Sequence, residues 1–241
     1  MKLLTPAHAN AKTAKNEQFS QFETYILHLA PADLSGYNTC PAASAGCKAA
    51  CLNTAGRGAF TNVQQARIRK THMLIKQRAE FMRLLYKDLQ AVQRKAAKAG
   101  RQAVVRLNGT SDLNWTALKF DNGLNAFQAF PSIQFYDYTK VLSRLEALAK
   151  APIQNYYVVF SKSETNEAEC KRALQLGFNV AVVFSAVPAQ YMGASVVDGD
   201  AHDLRFLDGA KGAVVGLKAK GKARKDMSGF VVQSCVKQQA V

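Results

Sequence analysis

The sequence predicts an α/β protein in which a parallel strand–helix repeat forms either a partial, TIM-like barrel or an open sheet. Two observations carry this expectation. Short runs rich in β-branched and aromatic residues alternate with segments of helical composition about 10–15 residues long, the signature of parallel strands joined by right-handed crossovers. The strand candidates are also continuous apolar runs rather than alternating ones, as expected of strands buried on both faces.

In chain order, Phe22–Leu29 is the first strand candidate, with Tyr25, Ile26, Leu27 and Leu29 as its apolar residues. Pro31, Asp33, Ser35, Gly36 and Asn38 make a turn-rich stretch after it. A cysteine-bearing loop follows and is closed by Gly56 and Gly58. One long helix is expected over Asn62–Ala99, because Ile68, Ile75, Met82, Leu85, Leu89 and Val92 recur at helical spacing. Gly100 supplies its C-cap. Further strands are expected at Ala103–Leu107, Ser132–Tyr138, Tyr156–Phe160, Asn179–Phe184, Ser195–Val197 and Ala213–Leu217. Between them, Leu113–Phe127, Lys140–Lys150 and Glu164–Leu176 have helical composition, and Gly177 ends the last. Val196–Leu207 fits either a loop or a hairpin; Asp198, Asp200, Asp203 and Asp208 crowd around His202 there, as a metal or general-base site or around a histidine satisfied within its loop.

The 241 residues show no internal repeat and no linker, so one domain over residues 1–241 is expected. No apolar run of transmembrane length occurs, and the first ten residues lack a signal-peptide core. A cytoplasmic protein without a membrane partner is therefore expected. The net charge of +15 is unevenly placed. Between Arg57 and Arg106 there are 13 Lys or Arg and two acids, Glu80 and Asp88. Lys218, Lys220, Lys222, Arg224 and Lys225 form a second cluster. Such fields attract polyanions, so nucleic acid or a nucleotide-like anion is the expected partner; a solvated face that aids solubility is the alternative.

Five cysteines, three within a dozen residues, do not read as a disulfide scaffold. Cys40, Cys47 and Cys51 are separated by six and then three residues, and Gly46 with several alanines lets the backbone wrap closely. Clustered thiolates select zinc or an iron–sulfur cluster. The paired knuckles of structural zinc sites are missing, which favours a [4Fe–4S] cluster on these three residues, with zinc as the weaker alternative. Cys170, Cys235 or His202 could add a fourth ligand, or one iron could stay open. Lys48 and Arg57 would stabilise thiolate charge.

In parallel α/β architectures, functional groups gather outside the carboxyl ends of the strands. One strand candidate runs into Asn108, Gly109, Thr110, Ser111 and Asp112. Gly109 would allow close approach of a ligand, while a turn with a helix N-cap explains part of the same run. Two later strands lead into Thr139-Lys140 and Ser161-Lys162, a hydroxyl followed by a lysine that can hold a phosphate or carboxylate.

The run from Cys40 to Gly58, the stretch Arg106–Asp112, the segment Phe135–Lys140 and the segment from Phe160 to Glu164, with the stretch Lys218–Gly229, resemble the phage "gene product eighty-eight" family over most of the chain. That resemblance implies a phage or prophage origin, hence the host cytoplasm. More distantly, the layout is similar to radical S-adenosylmethionine enzymes, which carry a three-cysteine loop after the first strand of a partial barrel. By that likeness Cys40, Cys47 and Cys51 hold the cluster and Asn108–Asp112 face S-adenosylmethionine. The spacing differs, being three then two residues in that superfamily. The expectation is a phage iron–sulfur protein that acts on or binds nucleic acid or a nucleotide. The alternative is a non-enzymatic nucleic-acid-binding protein with a structural iron–sulfur or zinc centre.

Overall fold

The computed structural model describes residues 1–6 and 15–233. Cys235 and His8 lie outside them. The fold is an open, mostly parallel sheet of ten strands. Strand β1 (Leu4–Pro6) pairs antiparallel with β2 (Phe22–Leu27). Then β3 (Gln102–Arg106), β4 (Gln134–Thr139), β5 (Tyr156–Ser161) and β6 (Val180–Phe184) follow side by side, all parallel to β2. Beyond β6 stand β9 (Val214–Lys218), β8 (Ala194–Asp198) and, antiparallel at the edge, β7 (Gln190–Tyr191). A tenth strand, β10 (Val231–Val232), pairs in parallel with the last two residues of β6. The sheet does not close into a barrel, so of the two architectures read from the sequence the open sheet is the one observed.

Because β2 to β6 are adjacent in chain order, right-handed crossovers put their helices on one face. The longest helix, α3 (Arg78–Lys98), lays Phe81, Met82, Leu85, Leu89, Val92 and Ala96 against Tyr25, Leu27, Val105 and Phe135. Helices α5 (Leu142–Lys150) and α6 (Glu167–Gln175) cover the rest with Leu145, Cys170 and Ala173 packed on Val158, Phe160, Val180 and Val182. Alternate strand residues point to the other face. There Val104, Tyr136 and Tyr157 pack beneath Leu204 and Phe206, so the segment after β8 crosses the sheet opposite the helices.

The structure corrects the sequence reading in two elements. The long helix is broken: α2 (Thr61–Lys76) ends at Gln77, whose φ of −136° and ψ of 51° are not helical, and α3 starts afresh. The break changes the phase, so α2 buries Arg67, Lys70, Thr71 and Leu74 while Ile75 is left 38% exposed. Inward-facing cations are stable there because they bond carbonyls: Lys70 Nζ donates to Leu3 O at 2.6 Å. The second correction is Leu113–Phe127, which holds turns and only the start of a short helix, α4 (Ala126–Ala129). Asn114, Asn122, Gly123 and Asn125 divert the backbone, and Asn125 with Gln128 makes a capping box. Val196–Leu207 resolves into β8 and a 3-10 turn at Arg205–Leu207. The short strands β1, β7 and β10 are too brief for a pattern-based reading.

Candidate functional site

The cysteines stand between β2 and α2, beside the carboxyl ends of β3, β4 and β5. Thr39 anchors the approach: its hydroxyl donates to Ala30 O at 2.6 Å, and its carbonyl accepts Asp112 N–H at 2.8 Å. Cys40 Sγ accepts the Ala32 N–H at 3.3 Å and lies 3.8 Å from Thr110 O. Ser44 caps the short helix α1 (Ala45–Ala49), accepting the Cys47 N–H at 3.2 Å. Cys51 follows α1 and enters two 3-10 turns, Leu52–Thr54 and Gly56–Ala59. Helix α2 clamps those turns. Gln64 donates to Asn53 O at 2.8 Å and also to Gly58 O, while Arg67 donates to the Asn53 side chain.

A second set of contacts holds α1 from the opposite side. Glu164, just past β5, accepts Ser44 Oγ and Gly46 N–H, each at 2.7 Å. A Cβ on Gly46 would stand 2.3 Å from Ser228 Oγ and 2.9 Å from both Glu164 carboxylate oxygens, so a side chain there would displace the Glu164 clamp. Ala50 packs with Ala223, and a Cβ on Gly221 would lie 3.2 Å from the Ala55 Cβ. The segment Gly221–Ser228 therefore runs antiparallel along residues 46–55.

Burial pushes the Cys40 and Cys51 thiols up, and in each case Cys47 adds to the rise. Backbone N–H groups of Ala32 on Cys40 and of Asn53 on Cys51 act the other way, as does Lys140 on Cys51. Cys51 in turn acts on Arg67, and Cys40 and Cys47 act on Lys48. Lys48, Arg67 and Lys140 are the cations that bear on this segment. Among the described residues, no three His, Cys, Asp or Glu side chains stand close enough together to hold a metal ion as they are. The donor chemistry nevertheless fits a cluster: three half-buried thiols, two of them already receiving N–H···S bonds of the kind that tune iron–sulfur centres.

The other sequence candidates gather at the same end of the sheet, though most of their polar atoms bond within the chain. Asn108 organises its turn: Oδ1 accepts from Ser111 Oγ, Leu113 N–H and Trp115 Nε1–H at 2.9–3.0 Å. Its N–H donates to Asp137 at 2.7 Å, a buried carboxyl whose pKa burial pushes up to about 8. Gly109 is tightly hemmed, for a Cβ there would meet Ile26 Cγ2, His28 Nδ1 and Leu27 O at 2.5–2.7 Å. Thr110 donates to Leu29 O at 2.5 Å. Asp112 accepts from Thr139 Oγ1 at 2.8 Å, Lys140 N–H at 2.9 Å and Arg144 Nη1 at 2.6 Å, tying β4 to the turn after β3. Lys140 Nζ donates to Ser161 Oγ at 2.8 Å. Lys162 is buried and donates to Ser163 O at 3.2 Å.

The described fourth-ligand candidates lie apart from the trio. Cys170 is in the helical core, its thiol pushed up to about 12 by burial. His202 stacks edge-on against Phe19 and bonds Arg205.

A family model described as Gene product 88 matches residues 2–234, nearly the whole chain. The chain belongs to the Gene product 88 family. No curated protein and no solved structure matches it. The phage-family resemblance carried by the cysteine run and the strand ends is thereby borne out, whereas the looser likeness to radical S-adenosylmethionine enzymes finds no match. Among the described residues of this Gene product 88 protein, no helix is long and apolar enough to cross a membrane.

Sequence reasoning overlooked the residues that hold the cysteine segment: Ser44, Glu164, Gln64 and Arg67. The one local signal was Ser44, three residues before Cys47 at the start of α1, an N-cap position. Glu164 is 120 positions from Ser44, and no local pattern joins them. Of the aspartates that crowd around His202 in the sequence, Asp203 lies under the crossing segment and accepts from Arg106 at 3.2 Å and from Tyr136 at 2.8 Å, partners the sequence did not point to.

Proposed function

We propose that this Gene product 88 protein is a phage iron–sulfur protein that holds a [4Fe–4S] cluster on Cys40, Cys47 and Cys51 and acts on or binds nucleic acid or a nucleotide. The observation that carries the reading is three partly buried free thiols within twelve residues, with Cys40 Sγ accepting the Ala32 N–H at 3.3 Å and lying 3.8 Å from Thr110 O just past β3. Such a cluster, with three thiolates and one open iron, would supply an electron to a bound S-adenosylmethionine. The chain's own residues would do the rest. Glu164 and Ser44 hold α1, and with it Cys47. Arg67 and Gln64 fix the turns that carry Cys51. Thr110, whose carbonyl lies 3.8 Å from Cys40 Sγ, would stand beside a bound adenosylmethionine. Lys140 adds positive charge next to Cys51, favouring its thiolate.

A second reading, a non-enzymatic nucleic-acid binder with a structural iron–sulfur or zinc centre, is favoured by the exposed cations Lys222, Arg224 and Lys225 of the C-terminal segment. Anaerobic purification followed by iron, sulfide and zinc analysis tests the centre. Iron and sulfide together support the cluster, zinc without sulfide supports the second reading, and a colourless, metal-free chain overturns both. Dithionite reduction with S-adenosylmethionine then separates enzyme from binder: 5′-deoxyadenosine is expected, and its absence from cluster-loaded protein ends the radical reading.

A further inference from the structure

We infer that the nucleic-acid surface of this protein is the rim around the cysteines, that its ligand is single-stranded, and that the long basic helices are not the binding face. This rests on the nucleic-acid part of the reading above and is independent of the cluster. The sequence draws attention to the 13 cations between Arg57 and Arg106, but the fold buries or pairs five of them. Arg67 and Lys70 are buried on α2, Arg106 is held by Asp203, Arg83 pairs with Glu80 and Lys95 pairs with Glu23. Among the described residues, none of the exposed large apolar side chains lies on α3.

The rim is built differently. Residues 40–60 contain no acid, and residues 218–230 contain only Asp226. Asp226 is engaged by the Val231 N–H at 2.9 Å and the Ser228 hydroxyl at 2.7 Å. The contacts of Gly46 with Ser228, Ala50 with Ala223 and Ala55 with Gly221 lay the two segments side by side. Ala223 is buried in that seam, while Lys222, Arg224 and Lys225 are exposed beside Arg57 and beside Lys48, which pairs with Asp33 at 2.8 Å. Exposed apolar side chains stand on the same segments: Phe60 is 59% exposed, Leu52 52% and Met227 88%. Cations for phosphates interleaved with an exposed ring and apolar side chains for unstacked bases are what a single strand requires, whereas a duplex presents no base faces to such groups.

The test is binding of fluorescein-labelled single-stranded DNA, the same sequence as RNA, and the corresponding duplex, read by anisotropy over a salt series. Lys222→Glu with Arg224→Glu and Lys225→Glu is expected to weaken single-strand binding at least about 100-fold and to flatten the slope of log K against log salt by about 2, at roughly 0.7 for each phosphate no longer neutralised. The milder Lys→Gln and Arg→Gln set and Phe60→Ala should each cost about tenfold or more, for stacking on one ring. Arg94→Glu with Lys98→Glu and Arg101→Glu on and just after α3 should stay within about threefold of the parent. Iron and sulfide are measured on every variant, so loss of the cluster is distinguishable from loss of nucleic-acid binding. The inference is overturned if the α3 set loses more affinity than the rim set, if a folded rim variant binds like the parent, if duplex binds as tightly as single strand, or if no nucleic acid binds and the rim instead captures a protein.

Discussion

At the scale of single residues, the site is shaped by positions where one atom more or one charge more has no room. Gly109 is the clearest case. An added methyl would press on the Leu27 carbonyl, which is backbone and cannot swing away, as well as on Ile26 and His28. Gly109→Ala should destabilise the fold by about 1–3 kcal/mol, read from urea unfolding, and an unchanged midpoint would mean that β2 does not approach this closely. His28 gives a pH signature. Its burial, with Arg67 and Arg106 adding to the effect, lowers its pKa to about 3 from 6.5. The unfolded chain therefore binds a proton between pH 6.5 and 3 that the folded chain does not. Stability contributed by neutral His28 is fully present above pH 6.5 and falls on acidification, by up to about 1.4 kcal/mol per pH unit. His202, also lowered by burial, acts in the same direction. Unfolding free energies measured at pH 7 and pH 5 should differ less in His28→Gln than in the parent; an equal difference would contradict the assignment.

At the scale of elements, the interrupted α2–α3 segment separates what pattern can reveal from what only packing decides. Phe81 to Ala96 follow the 3.6-residue period, and α3 lies where that period puts it. The same period read through Ile68 and Ile75 fails, because the helix restarts at Gln77 and the inward face of α2 is chosen by partners far along the chain: Asn53 for Arg67 and Leu3 for Lys70. Leu85→Ala, at a fully buried position, should cost about 2–5 kcal/mol, while Ile75→Ala should stay within about 0.5 kcal/mol. Equal losses at the two sites would restore the single continuous helix. The parallel strands were readable because strands covered on both faces are apolar throughout. The residues after Asn108 were misread as helix because their composition suits one, while the asparagine turns and the Trp115 bond to Asn108 settle the backbone otherwise. The cysteine spacing was visible directly, but the Ser44–Glu164 clamp and the seam with Gly221–Ser228 join residues more than a hundred positions apart, where no periodicity operates.

At the scale of the whole molecule, an open sheet with consecutive parallel strands brings the cysteine segment, the turn after β3, Lys140, Glu164 and the basic C-terminal segment to one edge of the fold. A family spanning nearly the entire chain fits that arrangement, since the edge draws on residues from the first strand to the last. The account stands or falls on what the three sulfurs carry. The most direct measurement is the iron and acid-labile sulfide content per chain of protein prepared without oxygen, compared with Cys40→Ala, Cys47→Ala and Cys51→Ala variants of equal helical content. The account predicts about four of each in the parent, as a [4Fe–4S] cluster demands, and a collapse of both in every variant. Parent protein free of iron and sulfide, or a full complement surviving loss of any one of the three cysteines, would contradict it.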